Sequence, residues 1–576
     1  MKTSRRIACL LLFTIDCLAA SPVKVAQVVN DLADRYVSAM RETFPLVYAG
    51  SGLPNPRRDL FDINSPQDLA VWRDFLKELD RDAKSVDPKA IEGQAAWLTL
   101  AQLRQAIEQN RAAEVCRTEL WSVHTYGWHA TLALIAELQP VGDAAKREAI
   151  LTRFSKLPRF VDQEILNLRQ GVRLGYTSPR LVVEAVLTDL DNLLDEPLAK
   201  TVYYSPAERD TDETFRVRWT STLKKVVAPA LARYRDFLRA EYLPRARSSP
   251  SIIANTNGKN CFRAVIAANS SVSVDPIKLF ERLNERADQE VQTALLAGKK
   301  RYGRDFLSLT ALAEALRKDS RNHFNSKDQV HEFIVSVMRR GKAGAAKVVP
   351  VVPDVDVEVK PFSDAAGESA PSGQYIPRDT EGRPPIYYYR TDYANLSPSS
   401  LEATVLHEAW PGHHLQAEIT QRSSKFRPHP LAQLVFVPGV GEGWATYVEG
   451  LARDLSLYDS ELGVIGSVMN SMTPRAVADI GMHVFGWSEQ RTLNYLKGRF
   501  PATPAERVQL TVTAIADEPG LMVPYALGAV EIENMREEMR RVQGDRFDLR
   551  QFHQRVIEDG TVPFPALRSK LGLGGD

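Results

Sequence analysis

The sequence predicts a mainly α-helical protein with a small β-sheet, and three observations support this fold class. From Val23 to about Arg340, apolar residues recur at intervals of three and four with charged residues between them, which is typical of amphipathic helices. The composition then changes from Arg340 to Pro385, where valines alternate with charged residues in GKAGAAKVVPVVPDVDVEVKPF, and the run PPIYYYRTDY follows a Gly/Ser-rich loop, AAGESAPSGQ. Two strands are therefore expected in this segment. Beyond Glu449 the helical spacing returns.

Residues 1–20 have the features of a secretory signal peptide. Basic residues precede the apolar stretch IACLLLFTIDCLAA, which is too short to span a membrane and ends in small residues. Cys17 suggests a lipoprotein anchor, but the preceding Thr14-Ile15-Asp16 lacks the small residue of a lipobox. We therefore expect a periplasmic or secreted protein without stable membrane insertion. A buried N-terminal amphipathic helix is the alternative.

The mature chain is divided into a helical N-terminal region, residues 21–340, and a region of motifs, residues 341–576. Its 73 basic and 72 acidic residues give almost no net charge, which argues against nucleic acid or an anionic membrane as partner. Cys116 and Cys261 remain after removal of the signal peptide and would form a disulfide in an exported chain, with two buried thiols as the alternative. The sequence does not indicate an oligomeric state.

The segment from Ser397 onward contains a histidine-rich motif at the end of an expected helix. The spacing Ser399-x-x-Glu402 is that of a capping box, so a helix should begin there and carry His407 and Glu408. In the zinc motif HExxH, two histidines four residues apart lie on one helical face and bind one metal ion. Here the sequence is HEAWPGHH, in which the spacing is longer.

The longer spacing requires a break in the helix if two histidines are to share a metal. On a regular helix neither His413 nor His414 could join His407 at about 2 Å per Zn–N bond. Pro411 lacks an N–H and crowds the preceding turn, so a kink or bulge is expected there. Such a bulge would return His413 to the face of His407. His414 would then support the site, or would replace His413 as the ligand.

A third ligand is expected on the following helical segment GEGWATYVEGL. Glu442 is the best candidate, and Glu449 lies two turns further on the same face. Two histidines, one glutamate and one water make a catalytic zinc site, whereas four protein ligands make a structural one. We therefore predict that His407, His413 and Glu442 bind Zn²⁺.

The two motifs HEAWPGHHLQ and EGWATYVEGL together resemble the bacterial domain-of-unknown-function family 885 (DUF885), which is commonly grouped with the HExxH-type zinc metallopeptidases of the Glu-ligand (gluzincin) kind. The resemblance covers most of the mature chain and is strongest from about Tyr387 to Arg536. It implies a predominantly helical zinc peptidase in which residues 341–576 form a zincin-like catalytic region.

Candidate catalytic residues follow from the motifs and from this resemblance. Glu408 is expected to act as the general base. GMHVFGWS resembles a recurrent family segment, which makes His483 a candidate donor near the reacting carbonyl. Tyr525 resembles the tyrosine of the family's P-G…Y-x-x-G segment and is a candidate oxyanion donor, with core packing as the alternative.

Candidate substrate contacts come from one predicted strand and two arginines. A strand at the edge of the sheet beside the metal-binding helix would hold a peptide backbone, and the segment Tyr387 to Arg390 is expected to be that strand, which makes Tyr388, Tyr389 and Arg390 candidates. Arg475 shares a helical face with Asp479 and His483, and is a candidate peptide contact together with Arg536. Packing and surface ion pairs are the alternatives.

These expectations define one function and two alternatives. The predicted function is that of an exported zinc metallopeptidase that hydrolyses short peptides. One alternative is an exported metal-binding or scaffolding protein without catalysis. The other is a zinc hydrolase that acts on a non-peptide amide or ester.

Overall fold

The computed structural model describes residues 22–49, 51, 53–362, 370–378, 382–422 and 429–574. The predicted signal peptide, residues 1–20, lies outside the described residues. Within them the chain is mostly helical and contains a three-stranded sheet, which confirms the predicted mainly α fold class. In the part of the chain that the structure describes, no helix is long and apolar enough to cross a membrane.

Among the described residues, fifteen α-helices precede the sheet. They are α1 (Pro22–Thr43), α2 (Pro45–Ala49), α3 (Pro66–Ser85), α4 (Ala95–Cys116), α5 (Trp128–Leu138), α6 (Ala144–Ser155), α7 (Leu157–Leu174), α8 (Arg180–Asp195), α9 (Ser205–Glu208), α10 (Glu213–Thr222), α11 (Ala228–Phe237), α12 (Gly258–Ser270), α13 (Pro276–Tyr302), α14 (Leu309–Lys318) and α15 (Lys327–Ala345). Two π-helical segments, Leu223–Val227 and Leu238–Tyr242, continue α10 and α11.

Local sequence explains where these helices begin and end. The side chain of Asp275 accepts the N–H of Ile277, and Pro276 occupies the first turn of α13, where its missing N–H costs nothing. Gly303, with φ +68°, ends the same helix in the left-handed conformation that glycine adopts without strain.

The sheet consists of β1 (Glu358–Pro361), β2 (Gly373–Ile376) and β3 (Ile386–Tyr389), in the order β1-β3-β2. β3 pairs in parallel with β1 and antiparallel with β2. Two expectations were therefore wrong. Part of the predicted Gly/Ser-rich loop is the strand β2. The segment Tyr387 to Arg390 was expected to form an edge strand, but β3 is the central strand and β2 lies at the edge.

Eleven helices follow the sheet in the described residues. They are α16 (Pro398–Glu408), α17 (His413–Arg422), α18 (Leu431–Leu434), α19 (Pro438–Asp454), α20 (Glu461–Met469), α21 (Met472–His483), α22 (Glu489–Arg499), α23 (Ala505–Asp517), α24 (Val523–Gln543), α25 (Leu549–Ile557) and α26 (Phe564–Leu571).

The hydrophobic cores join helices that are far apart in the sequence. One core combines residues of α1, α3 and α4 with residues of α16, α19 and α24. A second combines α5 to α12 with α21 and α23. A disulfide links Cys116 of α4 to Cys261 of α12, which confirms the predicted bridge. Both cores draw on residues from each side of position 340, and the division of the chain there stays a prediction.

Helices α19 and α24 approach each other closely because small residues line their contact. A Cβ atom added to Gly443 of α19 would lie 2.6 Å from the Cα of Gly528 on α24, and one added to Gly528 would lie 1.8 Å from the carbonyl oxygen of Gly439. Only glycine fits at such an approach. The contact places Glu442 of α19 near the first turn of α24.

Candidate metal centre

Helix α16 places His407 and Glu408 in its last turn. The helix begins two residues earlier than the expected capping box, because Ser397 is the N-cap and exchanges hydrogen bonds with Ser400. Glu402 is not part of the cap. It is buried, forms an ion pair with Arg340 and accepts the N–H of Asp459, which fixes α16 to its neighbours.

The helix is fully interrupted between α16 and α17, where only a kink or bulge was expected. α16 ends at Glu408 and α17 begins at His413, and the Trp410–Pro411 peptide bond between them is cis. A Cβ atom on Gly412 would lie 1.7 Å from the carbonyl oxygen of His407, so the chain folds tightly back onto the end of α16. As a result the rings of His407 and His413 lie 5.0 Å apart, centre to centre, at 87°.

His407, His413 and Glu442 converge on one point. The Oε2 atom of Glu442 lies 3.5 Å from Nε2 of His407 and 3.2 Å from Nε2 of His413. One possible ligand atom from each residue lies within 4.8 Å of the other two. The three side chains are 11–19% exposed, so the cluster is enclosed but still accessible. Two imidazoles and one carboxylate in this arrangement could hold a divalent transition-metal ion.

The electrostatics of the cluster depend on these short contacts. Burial opposes a charged carboxylate, but the imidazoles of His413 and His407 outweigh it and lower the pKa of Glu442. Burial also opposes a charged imidazole, yet Glu442 and Glu449 raise the pKa of His407 well above its usual value. The cluster therefore favours a cation shared between the imidazoles and the carboxylates.

Two further side chains orient His407. The Nδ1 atom of His407 lies 2.8 Å from Oε1 of Glu449, so this nitrogen donates and leaves Nε2 facing Glu442. The ring of Tyr525, from the first turn of α24, stacks on His407 with centres 6.3 Å apart and planes at 19°. Burial, the nearby carboxylates Glu442 and Glu408 and a hydrogen bond to Glu442 raise the pKa of Tyr525 well above its usual value.

Glu408 faces the edge strand of the sheet. Its Oε2 accepts the backbone N–H of Tyr375 on β2 at 2.9 Å, an N–H that β3 does not use. Burial raises the pKa of Glu408, although His413 and His407 act to lower it. The carboxylate thus lies between the strand edge and the three-residue cluster.

His414, the alternative to His413 as the second ligand, points away from the cluster. Its Nε2 donates to the carbonyl of Val355 at 2.9 Å, and its Nδ1 lies 3.0 Å from the hydroxyl of Tyr375. The ring is fully buried, and burial lowers its pKa to about 4. The structure brings His413, and not His414, to His407 and Glu442.

Comparison with known proteins identifies the family. Residues 45–571 match the family described as "Bacterial protein of unknown function (DUF885)". The chain belongs to the DUF885 family. No curated protein matches it.

Solved structures share the fold of this DUF885 chain. A "putative lipoprotein" from Colwellia psychrerythraea matches with a TM-score of 0.84 and 18% identity, over 96% of this chain and 99% of that one. A "putative lipoprotein of unknown function" from Shewanella oneidensis matches with a TM-score of 0.73 and 16% identity, over 95% and 99%. At these identities the similarity establishes the fold alone.

The structure does not bring His483 to the cluster, contrary to the expectation of a catalytic donor. The ring is 1% exposed, accepts the N–H of Ile252 at Nδ1 and donates from Nε2 to the carbonyl of Ile515. Burial lowers its pKa to about 3. Because both nitrogens bond to the backbone, His483 is a neutral histidine of the core.

The two predicted arginines differ in position. Arg475 lies within range of electrostatic interaction with Glu449 and Tyr525, although burial lowers its pKa. Arg536 lies eleven residues after Tyr525 on α24, about 16 Å along the helix. It donates to the hydroxyl of Tyr447 and pairs with Glu537. These contacts do not include His407, His413 or Glu442, and a substrate contact of Arg536 stays a prediction.

The residues of β3 and its end contact other parts of the sheet region. The ring of Tyr388 stacks on Phe362, and the hydroxyl of Tyr389 lies 3.1 Å from Nδ1 of His331. Arg390 pairs with Asp392. Tyr388, Tyr389 and Arg390 therefore lie in the central strand or at its end, where β1 and β2 already use the backbone.

Two residues near the cluster carry no clear signal in the sequence, Tyr375 and, in its tertiary role, Asp479. Tyr375 follows the run APSG, which masked the short strand β2. Asp479 accepts the N–H groups of Gly520 and Met522, each at 2.9 Å. The Pro519-Gly520 break was a signal of a turn, but nothing in the sequence indicates which side chain holds it.

Proposed function

We propose that this DUF885 protein is an exported zinc-dependent metallopeptidase that hydrolyses short peptides. The proposal depends on one observation, the convergence of His407, His413 and Glu442 beside the carboxylate of Glu408. The low exposure of the cluster favours short or unfolded chains over folded proteins as substrates.

The donor set fits zinc. Tetrahedral zinc with bonds of about 2.1 Å places neighbouring ligand atoms about 3.4 Å apart. The two distances from Glu442 to the histidines are 3.5 and 3.2 Å. Glu449 on Nδ1 of His407 matches the carboxylate that commonly orients a metal-binding imidazole. The combination of α16, α19 and an adjacent strand supports assignment to the zincin-like peptidases with a glutamate ligand.

The protein side chains would divide the remaining chemistry between them. Zinc held here would supply a Lewis acid that acidifies a water molecule and polarises a carbonyl group. Glu408 would take a proton from the attacking water at its carboxylate and give it to the nitrogen of the leaving amine. The raised pKa of Glu408 suits a group that both accepts and returns a proton.

Tyr525 would stabilise the oxygen of the reacting carbonyl as negative charge develops. Its raised pKa keeps the hydroxyl protonated at neutral pH, so that it remains a hydrogen-bond donor. Arg475, near Tyr525 and Glu449, would add positive charge on the same side.

The outer edge of β2 would receive the peptide backbone. At this edge the backbone N–H of Tyr375 donates to Glu408, whereas in a larger sheet it would donate to a neighbouring strand. A peptide that pairs with this edge would lie beside Glu408, which is the geometry needed for attack on its carbonyl.

Export is supported by two observations beyond the predicted signal peptide. The Cys116–Cys261 disulfide is typical of an oxidising compartment. The two structural neighbours are described as putative lipoproteins, which is consistent with export. We propose a periplasmic or secreted location for this chain.

Elemental analysis of the purified mature protein tests the metal site. We expect about one zinc per chain in the wild type and almost none in Glu442→Ala. His429→Ala is the matched control, since His429 pairs with Asp34 outside the cluster and its loss should leave the zinc content unchanged.

Absence of metal in the wild type would contradict the proposal. Bound zinc with hydrolysis of esters or other amides, but of no peptide in a mixed library, would favour the non-peptide hydrolase. Bound zinc without any hydrolysis would favour a metal-binding protein.

A further inference from the structure

Asp479 holds a turn that leads directly into the helix of Tyr525. Asp479 lies on α21 and is fully buried. Its Oδ1 accepts the N–H of Gly520 and its Oδ2 accepts the N–H of Met522, each at 2.9 Å. Gly520 has φ +83°, a conformation in which other residues are strained. Both carboxylate oxygens are thus committed to a single turn.

The turn is the N-terminus of α24, and this helix lacks a side-chain cap of its own. Its N-cap residue is Met522, which has no acceptor for the free N–H groups of the first turn. Asp479, on the neighbouring helix, accepts hydrogen bonds at this helix start from the N–H groups of Gly520 and Met522, just before α24, and from that of Val523, its first residue. A carboxylate in this position also complements the positive end of the helix dipole.

The capped turn determines where Tyr525 lies. Tyr525 is the third residue of α24, and its ring stacks on His407. Three residues further along α24, Gly528 packs closely on Gly443 of α19. A shift of the helix start along α21 would therefore move the tyrosine ring across the histidine.

We propose that Asp479 is a positioning residue, which caps α24 from α21 and thereby holds the hydroxyl of Tyr525 toward the metal-binding cluster. This inference rests on the proposed function for its catalytic consequence. The structural part, the link from Asp479 to the position of Tyr525, can be tested without any enzymatic assay.

Fluorine NMR of protein labelled with 3-fluorotyrosine tests the structural part. The resonance absent from Tyr525→Phe identifies Tyr525. In Asp479→Asn the amide group can accept only one of the two N–H groups, so this resonance should shift and broaden. Asp210→Asn is the matched control, because Asp210 is also buried and accepts the N–H groups of Gly142 and Asp212, away from the cluster. In that variant the resonance should stay unchanged.

An unchanged Tyr525 resonance in folded Asp479→Asn would overturn the inference. Asp479→Glu serves if Asp479→Asn does not fold, since it keeps both oxygens but lengthens the side chain by one methylene. The resonance must shift in this variant as well, and an unshifted resonance would overturn the inference equally.

Kinetics on a cleaved peptide test the catalytic part. Asp479→Asn should retain its zinc and lose at least about 10-fold in kcat, with KM changed less than about 2-fold, because only a transition-state contact is disturbed. In the Tyr525→Phe background the same substitution should cause no further loss in kcat. A loss of the same size in both backgrounds would overturn the positioning role.

These results separate the inference from the proposed function. If the wild type binds no zinc or cleaves no peptide, the proposed function fails, while the NMR result still decides whether Asp479 positions Tyr525.

Discussion

Two groups of buried histidines in this protein differ in what their ring nitrogens face. His407 and His413 direct Nε2 toward the carboxylate of Glu442. His483 and His553 are more deeply buried, and each has both nitrogens bonded to a backbone group or a hydroxyl. A nitrogen whose partner is a carboxylate can exchange that contact for a metal ion, whereas a nitrogen bonded to a core carbonyl cannot.

The same difference determines the direction of the pKa shifts. Burial lowers the pKa of His553 to about 4 and that of His483 to about 3. Burial acts in the same direction at His407 and His413, but nearby carboxylates outweigh it and raise both pKa values. Burial alone therefore does not reveal a candidate metal ligand, and what distinguishes His407 and His413 is that both imidazoles share one carboxylate, that of Glu442.

The largest expected effect separates two adjacent histidines. His413→Ala should reduce the zinc content from about one per chain to nearly zero and abolish hydrolysis, because it removes one of three ligands. His414→Ala should keep the zinc, since its nitrogens bond to Val355 and Tyr375. Elemental analysis of both variants measures this. Loss of zinc in His414→Ala with retention in His413→Ala would reverse the assignment.

The sequence predicted the helical fold class, the disulfide and the residues that converge, but not the arrangement around them. The spacing of HEAWPGHH required a break at Pro411, and the motif EGWATYVEGL supplied Glu442 on a helix of its own. These predictions depend on local patterns, which the sequence contains directly.

The errors came from long-range packing. The position of β3 in the centre of the sheet depends on β2, a four-residue strand without a clear pattern. His483 shares a helix with Arg475, but the two contact different neighbours, and helical spacing could not show which neighbours those are.

The next effect concerns Tyr525, the aromatic residue stacked on His407. Tyr525→Phe should lower kcat about 100-fold with little change in KM, because loss of one oxyanion donor acts mainly on the transition state. Zinc content should stay constant, since the hydroxyl is not among the three ligands. Steady-state kinetics on a cleaved peptide measures the effect, and an unchanged kcat would exclude the donor role.

A smaller effect is expected at Glu449, which distinguishes His407 from the core histidines. Glu449→Gln weakens the acceptor at Nδ1 of His407 and should reduce zinc affinity by about 10-fold to 100-fold. Competition with a calibrated chelator measures this affinity. Unaltered affinity would show that the contact does not tune the imidazole.

The smallest expected effect concerns His553, one of the two core histidines, and appears in the pH dependence of the free energy of unfolding. His553 donates from Nδ1 to the carbonyl of Val348 and accepts from the hydroxyl of Tyr447, so the folded protein keeps it neutral. The unfolded chain binds a proton below about pH 6.5, so this histidine lowers the free energy of unfolding as the pH falls toward about 4.

His553→Gln should remove about 2 kcal/mol of the loss in stability between pH 7 and pH 5. Urea unfolding of both proteins at the two pH values measures this difference, independently of the lower stability of the variant at pH 7. An equally steep pH dependence in the variant would contradict the neutral state of His553.

Cleavage by Glu408→Gln tests most directly whether the cluster is a hydrolytic centre. The purified variant and the wild type, each with its zinc content determined, are incubated with a mixed peptide library, and the products are identified by mass spectrometry. We expect about one zinc per chain in both proteins and a loss of cleavage of about 1,000-fold in the variant, because the general base alone is removed. Cleavage by Glu408→Gln at the wild-type rate would contradict the proposed mechanism.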